Sequence, residues 1–535
     1  MHMGEVAPMQ ERFTVAGMIR AHAAERPDEE MLICGQERRT WGQQYVRSCR
    51  VAHALSDEDV GVGGRVAFLD RNSLHYFDLL FGGALIGAVN VAVNWRLAPA
   101  EIAAVIDDSD ATVLVVHAEY LPALAAMESE LGNVRRVVVI GKPDGGVGIE
   151  RGIAYEEWLN GRPDHDPGAR CGEGDVSMQL YTSGTTGLPK GVMLSNRNMA
   201  TATASAGDNF HVDATTVSLV AMPLFHIGGS GWALCGMSRG GRSVILRDVD
   251  PIEILRVFET ERITETFLVP AVLMFLLATP QLKTTDLASL RNIFYGASPI
   301  GEEVLARCIS EFRCDFTQVY GLTETTGAIT ALRPDDHDPA GPRRRLLRSA
   351  GKPHDIVELR IVSTETGEVL PAGSVGEVVT RSDLNMLGYF GKPDETAKTI
   401  DADGWLRTGD AGFMDEEGFL FLHDRIKDMI VSGGENVYPA EVENVLLAHG
   451  DIADAAVIGV PDDKWGEAVK AIVVPTTGTD LTAETIVEFC RTRLAAYKCP
   501  KSVDFAETLP RNPSGKILKR ELRAPFWNDK ERNIS

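Results

Sequence analysis

The stretch Tyr181-Thr182-Ser183-Gly184-Thr185-Thr186-Gly187-Leu188-Pro189-Lys190-Gly191 decides how the rest of the chain is read. Glycine lets backbone N–H groups turn toward an anion, the Ser and Thr hydroxyls add donors, and Lys190 adds a point charge. Such a loop suits a polyphosphate. It is not a Walker loop, because counting from Gly184 puts Pro189 where the second glycine belongs and Gly191 where the metal-binding hydroxyl belongs. A metal ligand must therefore come from elsewhere in the chain.

The 535 residues exceed one ordinary core, and 44% of them are hydrophobic, so two or more packed domains are expected. The longest uncharged apolar run, 79–89, is too short for a bilayer span, which needs roughly 20 residues. The first 15 residues carry Glu5, Glu11 and Arg12 and no apolar run of the kind a secretory leader needs. Eight cysteines lie scattered without a C-x-x-C pair, as suits a reducing compartment, and a cytoplasmic protein is expected. A net charge of −23 argues against nucleic acid as a partner, since phosphate backbones would be repelled.

Working outward, strand-like and helix-like segments alternate: strand 66–69, helix 74–87, strand 89–93, helix 98–108 and strand 112–117. The pattern resumes with strands 217–222, 243–246 and 266–269 and helices 252–260 and 271–277. This predicts an α/β fold of mostly parallel sheets covered by helices. After Gly351 short strands (357–362, 375–380) and turns at Thr366-Gly367 and 415–418 predict a small β-rich portion. The charged joint Asp424-Arg425-Ile426-Lys427-Asp428 divides an N-terminal domain, 1–425, from a small mobile α+β domain, 426–535, with helix 440–447, strand 455–460 and helix 483–495.

Further strings complete the pattern: Gly296-Ala297-Ser298-Pro299, Tyr320-Gly321-Leu322-Thr323-Glu324, Trp405-Leu406-Arg407-Thr408-Gly409-Asp410, Arg425 through Glu441, and Pro510-Arg511-Asn512-Pro513-Ser514-Gly515-Lys516. With the phosphate loop, in this order, they closely resemble the adenylate-forming superfamily and, within it, the acyl-CoA synthetases. The resemblance spans nearly the whole chain. It implies that a carboxylate is activated by ATP to an acyl-adenylate, with pyrophosphate leaving, and that CoA then displaces AMP.

On that resemblance Thr182, Ser183, Gly184, Thr185, Thr186, Gly187 and Lys190 hold the phosphates, and Glu324 supplies the oxygen ligand for Mg²⁺. Gly296, Ala297, Tyr320, Gly321 and Thr323 frame the adenine slot, with Tyr320 stacking on the base or lining the slot. Asp410 accepts from the ribose hydroxyls with Arg425 beside it, although alone Asp410 reads as a turn former. Lys516, on a Pro/Gly-rich loop where a surface lysine is the plainer reading, would join carboxylate and α-phosphate during adenylation. Lys427 sits at the hinge position, and domain rotation there would withdraw Lys516 and present Gly433-Gly434-Glu435 to the pantetheine channel, with Ser432, Gly433 and Gly434 among the CoA-binding residues.

Trp465, Tyr497 and Lys501 match CoA-binding positions, while Tyr497 also reads as a core aromatic. His226, within Phe225-His226-Ile227-Gly228-Gly229, is either a gate near the carbonyl or a satisfied buried histidine. Phe225, Trp232 and Gly327 are assigned to the acyl pocket, Gly327 leaving room for a chain longer than acetate. Arg343, Arg344 and Arg345 read as a solvated mobile loop or as a weak contact for anionic lipid surfaces. The expected function is a CoA ligase for a medium-to-long fatty acid. Loading of a carrier protein, an aromatic or steroid-like acid, and a homodimeric assembly remain open.

Overall fold

The structure, a computed structural model, describes residues 11–125, 131–142, 151–182, 189–425, 428–432, 435–462, 465–479, 481–511 and 517–527. The βα alternation builds two large sheets. In the first, eight strands run in the spatial order Gly388–Tyr389, Lys190–Ser195, Val176–Thr182, Val89–Ala92, Arg65–Leu69, Ala111–His117, Arg136–Ile140 and Gly152–Ala154. From Val176–Thr182 onward they are parallel; Lys190–Ser195 runs antiparallel to them, and Gly388–Tyr389 pairs antiparallel with Lys190–Ser195. The second sheet holds nine strands, with the run Asp315–Leu322, Asn292–Gly296, Glu265–Leu268, Val217–Val220, Arg242–Ile245 and Glu30–Cys34 parallel. Several of the parallel strands, such as Val89–Ala92 and Ala111–His117, are near-continuous apolar runs, as strands covered on both faces require.

The helix Leu74–Ile86 is buried almost all round because it packs against strands of both sheets. Its one charge, Asp78, is wholly buried and is matched by Arg39 at 2.6 Å, Arg47 at 3.0 Å and the Tyr155 hydroxyl at 3.1 Å. Cutting that pair on one side would strand a buried charge, a loss on the order of 3–5 kcal/mol.

The β-rich portion is a four-stranded antiparallel sheet of Glu358–Val362, Gly376–Arg381, Leu406–Met414 and Leu420–Arg425. Ile430–Ser432 belongs to a separate five-stranded sheet built on the long hairpin Ile452–Asp462 and Gly466–Pro475. The helix expected over 483–495 stops at Arg491, where Thr492 turns its hydroxyl back to the Phe489 carbonyl and the chain folds over Cys490. All eight cysteines are free thiols. Among the described residues no helix is long and apolar enough to cross a membrane.

Candidate active site

Carboxyl ends of parallel strands are where α/β sheets bind ligands. Here the ends of both sheets meet at one cleft of about 1590 Å³, lined by Thr182 from the first sheet and Ala297, Leu322 and Val269 from the second. Arg511 and the segment 517–520 close it from the C-terminal side.

At one end stand the phosphate-loop flanks. Thr182 and Lys190 face each other across the hairpin, while 183–188, and with them Ser183, Gly184, Thr185, Thr186 and Gly187, lie outside the described residues. The Lys190 ammonium lies 2.6 Å from Glu395 and 4.9 Å from the centroid of the Tyr389 ring. Tyr389 in turn donates its hydroxyl to Oε1 of Glu324 at 3.0 Å. One carboxylate with substrate phosphates and water is the donor set Mg²⁺ favours, so Glu324 fits that role on its chemistry. The one cluster with metal-like spacing among the described residues, Asp70, His117 and Glu119, already meets Arg247, which reaches Asp70 at 2.8 Å and Glu119 at 2.6 Å.

Beyond Glu324 the backbone is tightly built. A Cβ at Gly321 would fall 1.7 Å from the Gly327 carbonyl, and one at Gly296 would fall 2.2 Å from that of Val319. Ala297 (φ +66°) and the β-branched Thr326 (φ +53°) hold left-handed conformations at the cleft wall, strain of a kind that gathers at functional sites. Thr323 and Gly321 line the cleft, whereas Gly296 and Tyr320 stand behind it. Tyr320 is held back because its hydroxyl donates to Oδ2 of Asp410 at 2.7 Å and its ring packs on Ile361, Val378 and Leu420. Asp410 is 8% exposed, and Arg425 sits directly opposite it across neighbouring strands.

The apolar arm is formed by the helices Asn196–Phe210 and Ile227–Met237 with the strand ends around Phe267 and Phe294. Trp232 lines it, its Nε1 anchored to the Leu219 carbonyl at 3.1 Å and its ring 4.9 Å from Phe294. Gly327 lines it at φ +107°. Phe225 does not: it belongs to the main apolar core, where its ring backs His226 at 4.5 Å. His226 faces the cleft with its Nε2 buried and, among the described residues, without a hydrogen-bond partner, which weighs against the reading as a satisfied core histidine. Burial, and secondarily Arg96, lower its pKa to about 4.

Arg96, Glu395 and His354 also line the cleft, although the sequence reading did not single them out. Arg96 follows the strand Val89–Ala92 and was findable from the strand-end rule. Glu395 carries no motif. His354, 6% exposed, also leaves its Nε2 without a partner among the described residues, and burial lowers its pKa to about 4.

Lys427, Gly433, Gly434 and Lys516 lie outside the described residues, as does the Arg425 side chain. Ser432 is buried in the C-terminal sheet opposite Gly466. Trp465 and Tyr497 are 41% and 38% exposed, so neither packs the C-terminal core, and Lys501 donates to the Ala496 carbonyl at 3.1 Å. None of these three lines the cleft in this arrangement of the chain. The arginine cluster is not a loose cationic loop: Leu346 and Leu347 anchor it as a 3₁₀ turn. Arg343 pairs with Asp336, Arg344 with Glu302 and Glu303, and Arg345 with Asp415 and Glu417, which neutralises the charge an anionic surface would need.

Comparison with known proteins accords with this geometry. Residues 19–390 match the family of AMP-binding enzymes and 441–516 match the AMP-binding enzyme C-terminal domain. The chain is 39% identical over 519 residues to the fatty acid–[acyl-carrier-protein] ligase ScoC of Streptomyces coeruleorubidus, covering 96% of each chain. It is 37% identical over 491 residues to a feruloyl-CoA synthase of Amycolatopsis sp., covering 91% of this chain and 94% of the other. The crystal structure of the anthranilate CoA ligase AuaEII with anthranoyl-AMP superposes with a TM-score of 0.87 at 26% identity, covering 98% of this chain and 99% of that one. A cleft at converging strand ends, both family domains, and relatives matched over nearly their full length lead to one conclusion: the chain belongs to the adenylate-forming superfamily, in its acyl-CoA synthetase branch, and is an ATP-dependent, AMP-forming acid–thiol ligase.

Proposed function

We propose that the protein is a fatty acid:CoA ligase acting on a medium-to-long acyl chain. One observation carries this reading: the polar end with Thr182, Lys190 and Glu324 is continuous, in one cleft, with an apolar arm bounded by Met199, Ala202, Phe210 and Trp232. In the first step a carboxylate oxygen attacks the α-phosphorus of ATP, the bond to the β-phosphate bridging oxygen breaks, and pyrophosphate leaves. Lys190 and the loop 183–188 neutralise the departing charge, Glu324 would hold a Mg²⁺ that would supply further positive charge there, and Asp410 with Arg425 grips the ribose. Lys516 joins the two anions. In the second step the CoA thiolate attacks the acyl carbon, and the bond to AMP breaks.

Neutral His226 lines the path to the carbonyl. With its imidazole uncharged it does not trap the acyl carboxylate as an ion pair. Exposed aromatic faces at Trp465 and Tyr497 and the ammonium of Lys501 favour free CoA over a carrier protein as the thiol donor, reached after rotation at Lys427. A boundary between the rotating units at 425/426 is supported by the strand Leu420–Arg425 ending the four-stranded sheet and Ile430–Ser432 belonging to the five-stranded one.

A second reading has its own observation. His354 and the rings of Phe210, Trp232 and Phe294 would suit an aromatic acid, or a chain bearing a hydrogen-bonding group, because a buried ring nitrogen without a partner is costly. Pyrophosphate release with ATP and Mg²⁺ across acids from acetate to palmitate, plus benzoate and a steroid acid, with and without CoA, decides between them. CoA-dependent turnover peaking at C8–C16 is expected. A peak at benzoate would favour the second reading, and release indifferent to CoA would favour a carrier-protein acceptor.

A further inference from the structure

The phosphate-loop cation is already occupied. Lys190 Nζ bonds Glu395 Oε2 at 2.6 Å, and the second oxygen of Glu395 accepts from Lys398 at 3.0 Å. The Lys190 side chain is 12% exposed and that of Glu395 32%, so the pair is shielded on one side and open to the cleft on the other. The two lysines hold the Glu395 carboxyl down to about 2, so it stays ionised at any working pH.

Glu395 is not a wandering surface group. The Thr396 hydroxyl accepts from the Tyr389 N–H at 2.9 Å and donates to the Lys392 carbonyl at 2.9 Å, which staples the helix Pro393–Thr399 to the strand Gly388–Tyr389. That strand pairs with the one beginning at Lys190, and the Phe390 N–H donates to the Gly191 carbonyl at 2.8 Å. The carboxylate is thereby fixed over the ammonium by the backbone of both partners.

We infer that Glu395 is a positioning residue that stands in for the polyphosphate: it holds Lys190 in the nucleotide-free enzyme, yields it to the β- and γ-phosphates of ATP, and retakes it as pyrophosphate departs. The inference rests on the reading of Lys190 as the polyphosphate cation. The exchange is cheap because only the flexible lysine stem needs to swing, and Glu395 keeps Lys398 when Lys190 leaves. A cation that already has an anion binds the next one less tightly, so Glu395 lowers affinity for ATP and pyrophosphate together. It thereby speeds release of the leaving group.

The test compares Glu395→Gln with the parent enzyme. The expected result is a fall of about fivefold in both KM for ATP and the inhibition constant of pyrophosphate. Calorimetric titration with pyrophosphate alone should give the same shift without turnover. In a Lys190→Ala background Glu395→Gln should change either constant less than twofold. Unchanged constants, or a rise in KM that marks Glu395 as a ligand of the metal–nucleotide, would overturn the inference. An unaltered KM for ATP in Lys190→Ala alone would instead overturn the role given to Lys190.

Discussion

Tyr320 donates its hydroxyl to Oδ2 of Asp410 at 2.7 Å, joining the end of a parallel strand in the second sheet to the antiparallel sheet. Asp410 is nearly buried, so this bond fixes which way its carboxylate looks. On the ribose-binding role proposed for Asp410, Tyr320→Phe removes the orienting bond but keeps the charge. KM for ATP should rise about tenfold, the equivalent of one charge-assisted hydrogen bond, with kcat within twofold. Steady-state pyrophosphate release against ATP concentration measures this. A kcat loss at unchanged KM would place Tyr320 in the chemistry instead.

Acyl length should respond to Trp232. Its ring borders the apolar arm against Phe294, and its Nε1 is tied to the Leu219 carbonyl at 3.1 Å. Trp232→Leu removes about one ring's depth of wall. The preferred acid should lengthen by roughly two to four carbons, at a stability cost on the order of 2–3 kcal/mol. A chain-length series for kcat/KM on the variant reads the shift. An unmoved optimum would mean the acyl chain runs elsewhere in the cleft.

Much of this was legible in the residues. Continuous apolar strands between amphipathic helices gave the parallel sheets, and Gly/Thr-rich strings marked the strand ends that meet at the cleft. Side-chain direction was not legible. Phe225 and His226 are neighbours, yet one backs the core and the other faces the cleft, and the turn after the strand Val217–Val220 decides which. The pairing of the arginine cluster was hidden because two of its partners, Glu302 and Asp415, are distant in sequence. Glu395 and His354 carry no motif at all, and only the packing of their elements brings them to the site.

Stability should carry opposing pH dependences from buried titratable groups, two of them, His226 and His354, in the cleft wall. Burial lowers His226, His337 and His354 from 6.5 to about 4, against the attraction of Asp336 at His337 and of Asp355 at His354, and with repulsion from Arg96 at His226 and Arg333 at His354. The unfolded chain therefore binds more protons than the folded one between those values, and stability falls as pH drops through that window. Burial raises Glu265 from 4.5 to about 7 despite Arg291 at 3.5 Å, so its share of stability is present below 4.5 and is lost as pH rises through 7. Glu265→Gln should raise Tm by roughly 2–4 °C at pH 8 and leave it unchanged at pH 5. Equal increments at both pH values in a thermal-shift series would mean the gain comes from the amide's hydrogen bonding, not from titration.

Lys516 can be tested by splitting the two half-reactions. The residues that flank its loop, Arg511 on one side and Ile517 on the other, pair as a short antiparallel bridge, and both line the cleft that holds Thr182 and Glu324. The flanks of its loop therefore share a chamber with the phosphate-loop flanks, where adenylation requires a cation. Thioester formation needs no cation between carboxylate and phosphate, because the acyl–phosphate bond then breaks. Lys516→Ala should therefore lower adenylation, followed as acid-dependent pyrophosphate–ATP exchange, by about a hundredfold or more while retaining thioester formation from a supplied acyl-adenylate. Lys427→Pro should show the opposite bias, because a fixed φ at the joint hampers rotation but leaves the adenylating arrangement in place. Parallel losses of both half-reactions in both variants would mean that the C-terminal domain contributes stability rather than alternating chemistry.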